Sequence, residues 1–354
     1  MEDARRHYLD LIRQDGVRLS PPLARAFAAV PREVFVPDGF HRRDGSRVLP
    51  ADPEFLRSVY SNDVLVTKLN GRQPISSSSQ PSLMAIMLEA LDVRPGQRVL
   101  EIGAGTGYNA ALLATLGAEV TTVDVQEDVA DRARAALARA EITGVRVEAA
   151  DGYTGGPAGR YDRIIVTVGV AGISPFWIER LLPGGRVIAP VEHAGMHPVL
   201  AADPSGAVSV ICPAGFMSAA GPLGARHDGS HPPPPAGPLT GLDPAAPARW
   251  GAPLEALAYR DLWFAAGAWH RRVTYASVPG REQSLLAVLS GGDRYAAVVL
   301  PDGEVLASSD HCAAVALALS DRWWSLGRPP MSAWRATLAQ AGPLLVPRAW
   351  KLGL

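Results

Sequence analysis

The sequence predicts an α/β fold built on a doubly wound, mostly parallel sheet, followed by a smaller C-terminal α+β unit. Three observations predict it. Short apolar runs alternate with helical stretches between residues 98 and 190, the pattern of parallel strands joined by crossover helices. A glycine-rich turn follows the first of those runs. Proline density then rises between Gly215 and Pro253, and most of the tryptophans lie from Trp250 onward, as expected for a semi-rigid connector leading to a second core.

The elements follow in order. Residues 2–14 and 22–30 have helical apolar spacing, the second helix opened by Ser20-Pro21-Pro22 and stopped by Pro31, since proline fits a first helical turn and breaks a later one. A loop-rich stretch covers 37–80. Strand 98–102 leads into a helix over 106–116 that Gly117 ends. Strand 119–124, helix 127–140, strands 145–149 and 161–168, helix 174–182 and strand 186–190 continue the alternation. Right-handed crossovers place the carboxyl ends of such strands, and any ligand, along one edge. Beyond the connector, Tyr295–Leu300 and Glu304–Ser308 flank Pro301-Asp302-Gly303 as a hairpin, and Asp310–Trp324 reads as a helix. The chain therefore divides into 1–80, a helical and loop cap; 81–214, the sheet-bearing core; 215–253, the connector; and 254–354, an accessory unit.

Of the 354 residues, 47% are apolar and 19% charged, with a net charge of −1. This is a globular composition with no electrostatic footprint for a polyanion, so nucleic acid is not expected as a partner. The first residues lack the apolar segment of a signal peptide, and no run approaches the roughly 18 to 20 apolar residues of a membrane span. A cytoplasmic protein without a membrane partner is expected. The two cysteines, Cys212 and Cys312, lie far apart and without metal-ligand spacing, so reduced thiols and no metal site are expected.

The glycine turn reads Glu101-Ile102-Gly103-Ala104-Gly105-Thr106-Gly107. Glycines there let the backbone approach a ligand, and the helix that follows offers unpaired N–H groups. A dinucleotide would suit the same turn, so the neighbours decide. Glu101 precedes the first glycine, Asp124 ends the next strand where a carboxylate can accept both ribose hydroxyls, and Asp151-Gly152 follows the third strand near an adenine amino group. Acidic groups in these places suit a ligand with a sulfonium and an amino group and no pyrophosphate, which is S-adenosylmethionine. The expected cofactor contacts are Glu101, Gly103, Ala104, Gly105, Thr106, Gly107, Asp124, Val125, Asp151, Gly152 and Thr167. Asp124 also reads as a helix N-cap and Asp151 as a turn residue.

Several segments together resemble one family, the protein-L-isoaspartate O-methyltransferases. They are Val30-Pro31-Arg32-Glu33-Val34-Phe35-Val36-Pro37, Ser79-Gln80-Pro81, Val99-Leu100-Glu101-Ile102-Gly103-Ala104-Gly105-Thr106-Gly107-Tyr108 and Tyr161-Asp162-Arg163-Ile164-Ile165-Val166-Thr167, with Leu182-Pro183-Gly184-Gly185-Arg186-Val187 in addition. The resemblance spans roughly residues 1–215. It implies a Rossmann-like class I methyltransferase fold and transfer of a methyl group to a side-chain carboxylate in a peptide or protein. In that family the serine of a Thr-Ile-Ser segment lies beside the transferred methyl group, and Ser79 matches it. A carboxylate, with an unperturbed pKa of roughly 4, is ionised at neutral pH and needs positioning rather than a general base. Ser79 is thus the expected orienting residue, with Ser77, Ser78, Gln80 and Ser82 around it and Tyr60 and Asp63 in the loop that covers the acceptor. Read without the family, Ser76–Ser79 is a loop with Ser79 capping the next helix, and Tyr60 and Asp63 are ordinary loop residues. Thr167 faces the same edge and suits either ligand. His193 and His197 lack a carboxylate at useful spacing and read as surface or structural residues.

The sequence also departs from the family. The stretch before Ser79 reads Val64-Leu65-Val66-Thr67-Lys68-Leu69-Asn70-Gly71-Arg72-Gln73-Pro74 where repair enzymes carry a short Pro-Ile-Gly, and Ser78 is polar. Residues 215–354 have no counterpart in a minimal repair enzyme. The arrangement is similar to C-terminally extended relatives associated with ribosomally made peptides such as lanthipeptides, graspetides and lasso peptides, in which one aspartyl ester closes to an aspartimide. The expected partner is therefore a peptide or protein bearing an Asp or isoAsp carboxylate, a cyclised precursor peptide above all, with general isoaspartyl repair as the alternative. Val166-Thr167-Val168-Gly169-Val170 lacks the Pro-Pro-aromatic segment of nucleic-acid amino methyltransferases. A non-catalytic cofactor-binding module remains as a reading from another class.

Overall fold

A computed structural model of the protein describes residues 2–290 and 295–353. Positions 1, 291–294 and 354, which the division above includes, lie outside the described residues. The chain opens with α1 (Glu2–Gln14) and α2 (Pro21–Ala29). Ser20 caps α2 as its sequence predicts, its hydroxyl accepting from the Leu23 N–H at 3.4 Å. The segment expected to be loop-rich instead holds β1 (Phe40–His41), β2 (Arg47–Val48), α3 (Phe55–Val59), β3 (Leu65–Asn70) and β4 (Gln73–Ser78), with the strands in the order β2-β1-β3-β4. The reason is local. β3 and β4 meet across the two-residue turn Gly71-Arg72, where Gly71 sits at φ +59°. Glycine takes that conformation without strain, while the serines of β4 mask its strand character.

Next come α4 (Pro81–Leu91), β5 (Arg98–Ile102), α5 (Tyr108–Thr115), β6 (Glu119–Asp124), α6 (Glu127–Arg139), β7 (Val145–Ala149), β8 (Tyr161–Val166), α7 (Pro175–Arg180), β9 (Leu181–Pro190), β10 (Val199–Ala202) and β11 (Ala207–Cys212). The remaining elements are β12 (Asp243–Ala246), α8 (Ala256–Trp269), β13 (Val273–Val278), β14 (Arg281–Leu289), β15 (Ala296–Val299), β16 (Val305–Ala307), α9 (Asp310–Ser325), β17 (Trp334–Ala341) and β18 (Leu344–Leu352). The central sheet runs β18-β17-β11-β10-β9-β8-β5-β6-β7. Strands β7, β6, β5, β8 and β9 are mutually parallel, and the other four continue the sheet antiparallel. Since β5 sends its successors first to one side and then to the other, the switch point lies between β5 and β8. Crevices form there at the carboxyl ends of the strands.

The division drawn from composition departs from the structure in two places. Residues 254–354 do not stand together: β13 to β16, joined by β12 from the proline-rich stretch, form a separate antiparallel sheet flanked by α8 and α9, whereas the β17–β18 hairpin returns to the central sheet and pairs with β11, Val208 opposite Ala336. Without that hairpin β11 would be a bare edge. Residues 215–253 are anchored rather than free, with Leu223 and Leu239 buried and Gly169 bridged to Ser218. Widely spaced apolar residues between the prolines supply those anchors. Leu100, Trp177, Leu239, Phe264 and Trp334 consequently share one continuous core.

Trp334 is 1% exposed and lies 5.4 Å from the Trp269 ring and 5.9 Å from Phe264. Trp334→Ala is expected to destabilise the whole chain by about 3–5 kcal/mol in a single unfolding transition. A loss below about 1 kcal/mol, or a separate early transition, would make the hairpin an appendage.

Candidate functional site

The switch point carries the glycine turn. Gly103 (φ +98°), Gly105 (φ +52°) and Gly107 (φ +85°) all lie in the left-handed region. At Gly103 a Cβ would stand 2.6 Å from the Thr167 hydroxyl, so only glycine fits between β5 and β8. Thr167 fastens the turn, its hydroxyl donating to the Gly103 carbonyl at 2.7 Å and its N–H to the Ile102 carbonyl at 2.9 Å. Asp124 closes β6 beside it. One carboxylate oxygen accepts from the Gly105 N–H at 3.1 Å, the other from the Gln126 N–H at 3.0 Å. It braces both the turn and the start of α6, and burial raises its pKa.

Glu101 is completely buried, one oxygen accepting from Asn109 Nδ2 at 2.7 Å and the other from the Thr122 hydroxyl at 2.6 Å. Burial pushes its pKa up to about 7 against the two hydrogen bonds, and nearby Asp124 adds to the rise. Asp151 lies in a turn after β7 and accepts from the Tyr153 N–H at 2.9 Å. Val125 is 64% exposed, an apolar side chain at the mouth of the site.

These groups border one cleft of about 740 Å³, a volume in the range of small-molecule sites. Of the cofactor contacts expected from sequence, the cleft brings together Glu101, Gly103, Ala104, Gly105, Thr106, Asp124, Val125, Asp151, Gly152 and Thr167. Gly107 instead caps α5 and packs near Ala133. The sequence missed Met84, Asn109, Gln126 and the wall formed by Met217–Leu223. Asn109, a lone polar residue near the start of an otherwise apolar helix, was the available signal. The wall had none, because it falls in the stretch read as a connector.

The opposite side of the cleft is β4 and its end. Ser77, Ser78 and Ser79 line it. Among the described residues the Ser79 hydroxyl has no hydrogen-bond partner, although its carbonyl accepts from Arg32 Nη2 at 2.9 Å. Ser78 is buried and turned to the Arg32 guanidinium, 3.4 Å away. Gln80 and Ser82 leave the cleft: Gln80 Nε2 donates to the Ser82 hydroxyl at 3.1 Å, and the Ser82 N–H donates to Asn62 Oδ1 at 3.0 Å. Proline at position 81 starts α4 there and carries both residues away.

Tyr60 and Asp63 do not cover the cleft either. Tyr60 is 2% exposed, its ring edge-on to Tyr8 and its hydroxyl held by Glu33 and Arg5. Asp63 faces outward and pairs with Arg43 at 2.6 Å. What joins them to the site is Arg32, which is wholly buried and donates to the carbonyls of Val59 (2.9 Å), Ser61 (3.1 Å), Asp63 (3.0 Å) and Ser79.

The protein-L-isoaspartate(D-aspartate) O-methyltransferase family model matches residues 3–211. The chain belongs to this family. A protein-L-isoaspartate O-methyltransferase of Thermotoga maritima is 37% identical over 186 residues, covering 51% of this chain and 53% of its own. One from Methanoculleus marisnigri is 50% identical over 114 residues, 32% of this chain and 52% of its own. One from an Anaeromyxobacter species is 35% identical over 192 residues, 53% of this chain and 80% of its own. The chain thus spans about half the length of the first two. A solved protein-L-isoaspartate O-methyltransferase shares the fold across 99% of this chain and 100% of its own, with a TM-score of 0.57 at 24% identity. The C-terminal region, expected to have no counterpart in a minimal repair enzyme, thus has a structural counterpart in a protein of that name.

Among the described residues no helix is long and apolar enough to cross a membrane, and no group of three His, Cys, Asp or Glu side chains is placed to hold a metal.

Glu101 gives the cleft a pH signature. Its pKa is about 7 folded and roughly 4.3 unfolded, so the unfolded chain loses the proton first and stability falls as pH rises between those values. Urea unfolding of the cofactor-free protein should show a loss of about 4 kcal/mol across that window, absent in Glu101→Gln. An unchanged slope in the variant would assign it elsewhere.

Proposed function

We propose that this chain transfers the methyl group of S-adenosylmethionine to an aspartyl or isoaspartyl carboxylate in a peptide or protein. The observation that carries the proposal is that a single cleft is bordered on one side by the glycine turn with its acidic residues and on the other by Ser77–Ser79. Membership of the family supports the same reading.

The cleft fits the cofactor. Glycine backbone at the start of α5 gives close approach, the outer lone pairs of Asp124 are open to ribose hydroxyls, and Asp151 and Val125 suit the polar edge and face of an adenine. Bound there, S-adenosylmethionine supplies a methyl carbon on a sulfonium, and its transfer leaves a neutral thioether with no proton to move. The protein's task is then geometric. Ser79 offers its free hydroxyl to one oxygen of the acceptor carboxylate and leaves the other to attack in line. A single neutral donor orients the group without the tight bidentate pairing by which an arginine would quench it. Gly103, Asp124 and Thr167 hold the cofactor side still while Met217–Leu223 walls off water.

The finer proposal is that the acceptor is one aspartate of a constrained, ribosomally made peptide whose ester closes to an aspartimide. It is supported by the serine-rich β4 that borders the cleft, and not by the C-terminal region, whose fold recurs in a protein named for isoaspartate. The names of the relatives favour the second reading, general isoaspartyl repair.

Two measurements follow. Ser79→Ala should lower kcat for methyl transfer about 10–100-fold while cofactor affinity stays within about twofold, read by single-turnover kinetics and calorimetry. An unchanged kcat would remove Ser79 from the mechanism. Incubation with a cyclised aspartyl peptide and with linear isoaspartyl peptides, followed by mass spectrometry, separates the finer readings: methyl addition and then methanol loss on the cyclised peptide alone fits tailoring, and turnover of the linear ones alone fits repair.

A further inference from the structure

The β3–β4 hairpin touches the cofactor side of the cleft through side chains to which the proposed methyl transfer gives no role. Gln73, Pro74, Ile75 and Ser76 of β4 border the cleft on one side, and Asp124, Val125 and Gln126 border it on the other. The two sides meet at Gln126. Its Nε2 donates to the Ile75 carbonyl at 3.2 Å, while its N–H is held by the Asp124 carboxylate at 3.0 Å. Lys68 of β3 fastens this bridge, its Nζ donating to Gln126 Oε1 at 2.8 Å and to Asp128 Oδ1 at 2.6 Å. Asp128 stands in the first turn of α6, so the hairpin is tied to the start of that helix.

Local structure makes Lys68 the fastening residue. The β3–β4 register shifts on both sides of it, and such an irregularity re-aims a neighbouring side chain. β4 is an edge strand of its sheet, so no further strand holds its outer side. The base of the hairpin is buried at Leu65, Val66 and Ser78, whereas Asn70 to Pro74 are exposed. Among the described residues three hydrogen bonds join the hairpin to Gln126 and Asp128, and Lys68 makes two of them. The hydrogen bond from Lys68 holds the Asp128 carboxyl below its usual range, with Arg132 sharing that carboxylate at 3.3 Å. Lys68 also lies in the stretch 64–74 at which the sequence departs from its family.

We propose that Lys68 is a positioning residue for the cofactor: by fastening β4 to α6 it holds the cleft closed beside Asp124, and ligand exchange proceeds when that bond opens. The proposal rests on the reading of the cleft as an S-adenosylmethionine site. A partly exposed ion pair contributes little to global stability and is screened by salt. Where it restrains a local opening, its loss shows instead in the rate at which ligand leaves.

The test uses the full-length protein with S-adenosylhomocysteine and no acceptor. Lys68→Met should speed S-adenosylhomocysteine release about three- to tenfold in stopped-flow displacement, with the ligand-free unfolding temperature within about 2 °C of the parent. Asp128→Asn should give a smaller increase, since the Gln126 bond remains, and Lys68→Arg should return release to within about twofold of the parent. Added salt should speed release from the parent and leave Lys68→Met unaffected. Without any ligand, amide hydrogen exchange at Ile75 and Ser76 should be faster in Lys68→Met than in the parent. Equal release rates, a salt effect that survives in Lys68→Met, or unchanged exchange would overturn the proposal and leave the cofactor reading standing. A parent that binds no S-adenosylhomocysteine would overturn the cofactor reading and the proposal with it.

Discussion

The arrangement of the Ser77–Ser79 wall of the cleft depends on one buried cation. Arg32 enters the interior without a carboxylate partner among the described residues and is satisfied by backbone carbonyls at Val59, Ser61, Asp63 and Ser79, with the rings of Tyr8 and Tyr108 each 5.8 Å from its Cζ. Burying an unpaired charge is costly unless most of its donors are used. Here that demand is turned into geometry: the planar fork can be satisfied only if the 59–63 loop and the end of β4 come together. Glu33, its neighbour in sequence, is occupied with Tyr60 and Arg5 and does not compete.

From that constraint the rest of the site follows. β4 is fixed at its end through the Ser79 carbonyl, which leaves the Ser79 hydroxyl facing the cleft. Across the cleft, Gly103 and Thr167 lock β5 to β8, and Asp124 ties the glycine turn to α6. The two walls of the cleft are held by different interactions.

The parallel half of the sheet and its glycine turn were legible in sequence because their signals are local: strand and helix periods, glycines at positive φ, and acidic residues at strand ends. The residues expected to contact a cofactor accordingly border one cleft, apart from Gly107, which caps α5. The acceptor side was harder. Tyr60, Asp63, Gln80 and Ser82 lie near Ser79 in sequence, yet the turn into α4 and the pull of Arg32 point them elsewhere. Arg32 stood in a quoted motif and served there only as a mark of resemblance; nothing local says that an arginine will be buried on carbonyls 27 to 47 positions away. The pairing of β17 with β11 was equally hidden, since it joins segments more than a hundred residues apart through an edge that either could have left bare.

Arg32 holds the Ser77–Ser79 wall by the Ser79 carbonyl, and in the proposed reaction it positions the acceptor without touching the cofactor. Arg32→Lys keeps the charge and loses the fork, so the most direct measurement is S-adenosylmethionine affinity and single-turnover methyl transfer in that variant side by side. Affinity within about threefold of the parent with transfer slowed about a hundredfold or more is the expected result. Equal transfer rates, or loss of rate that merely tracks loss of cofactor affinity, would contradict it.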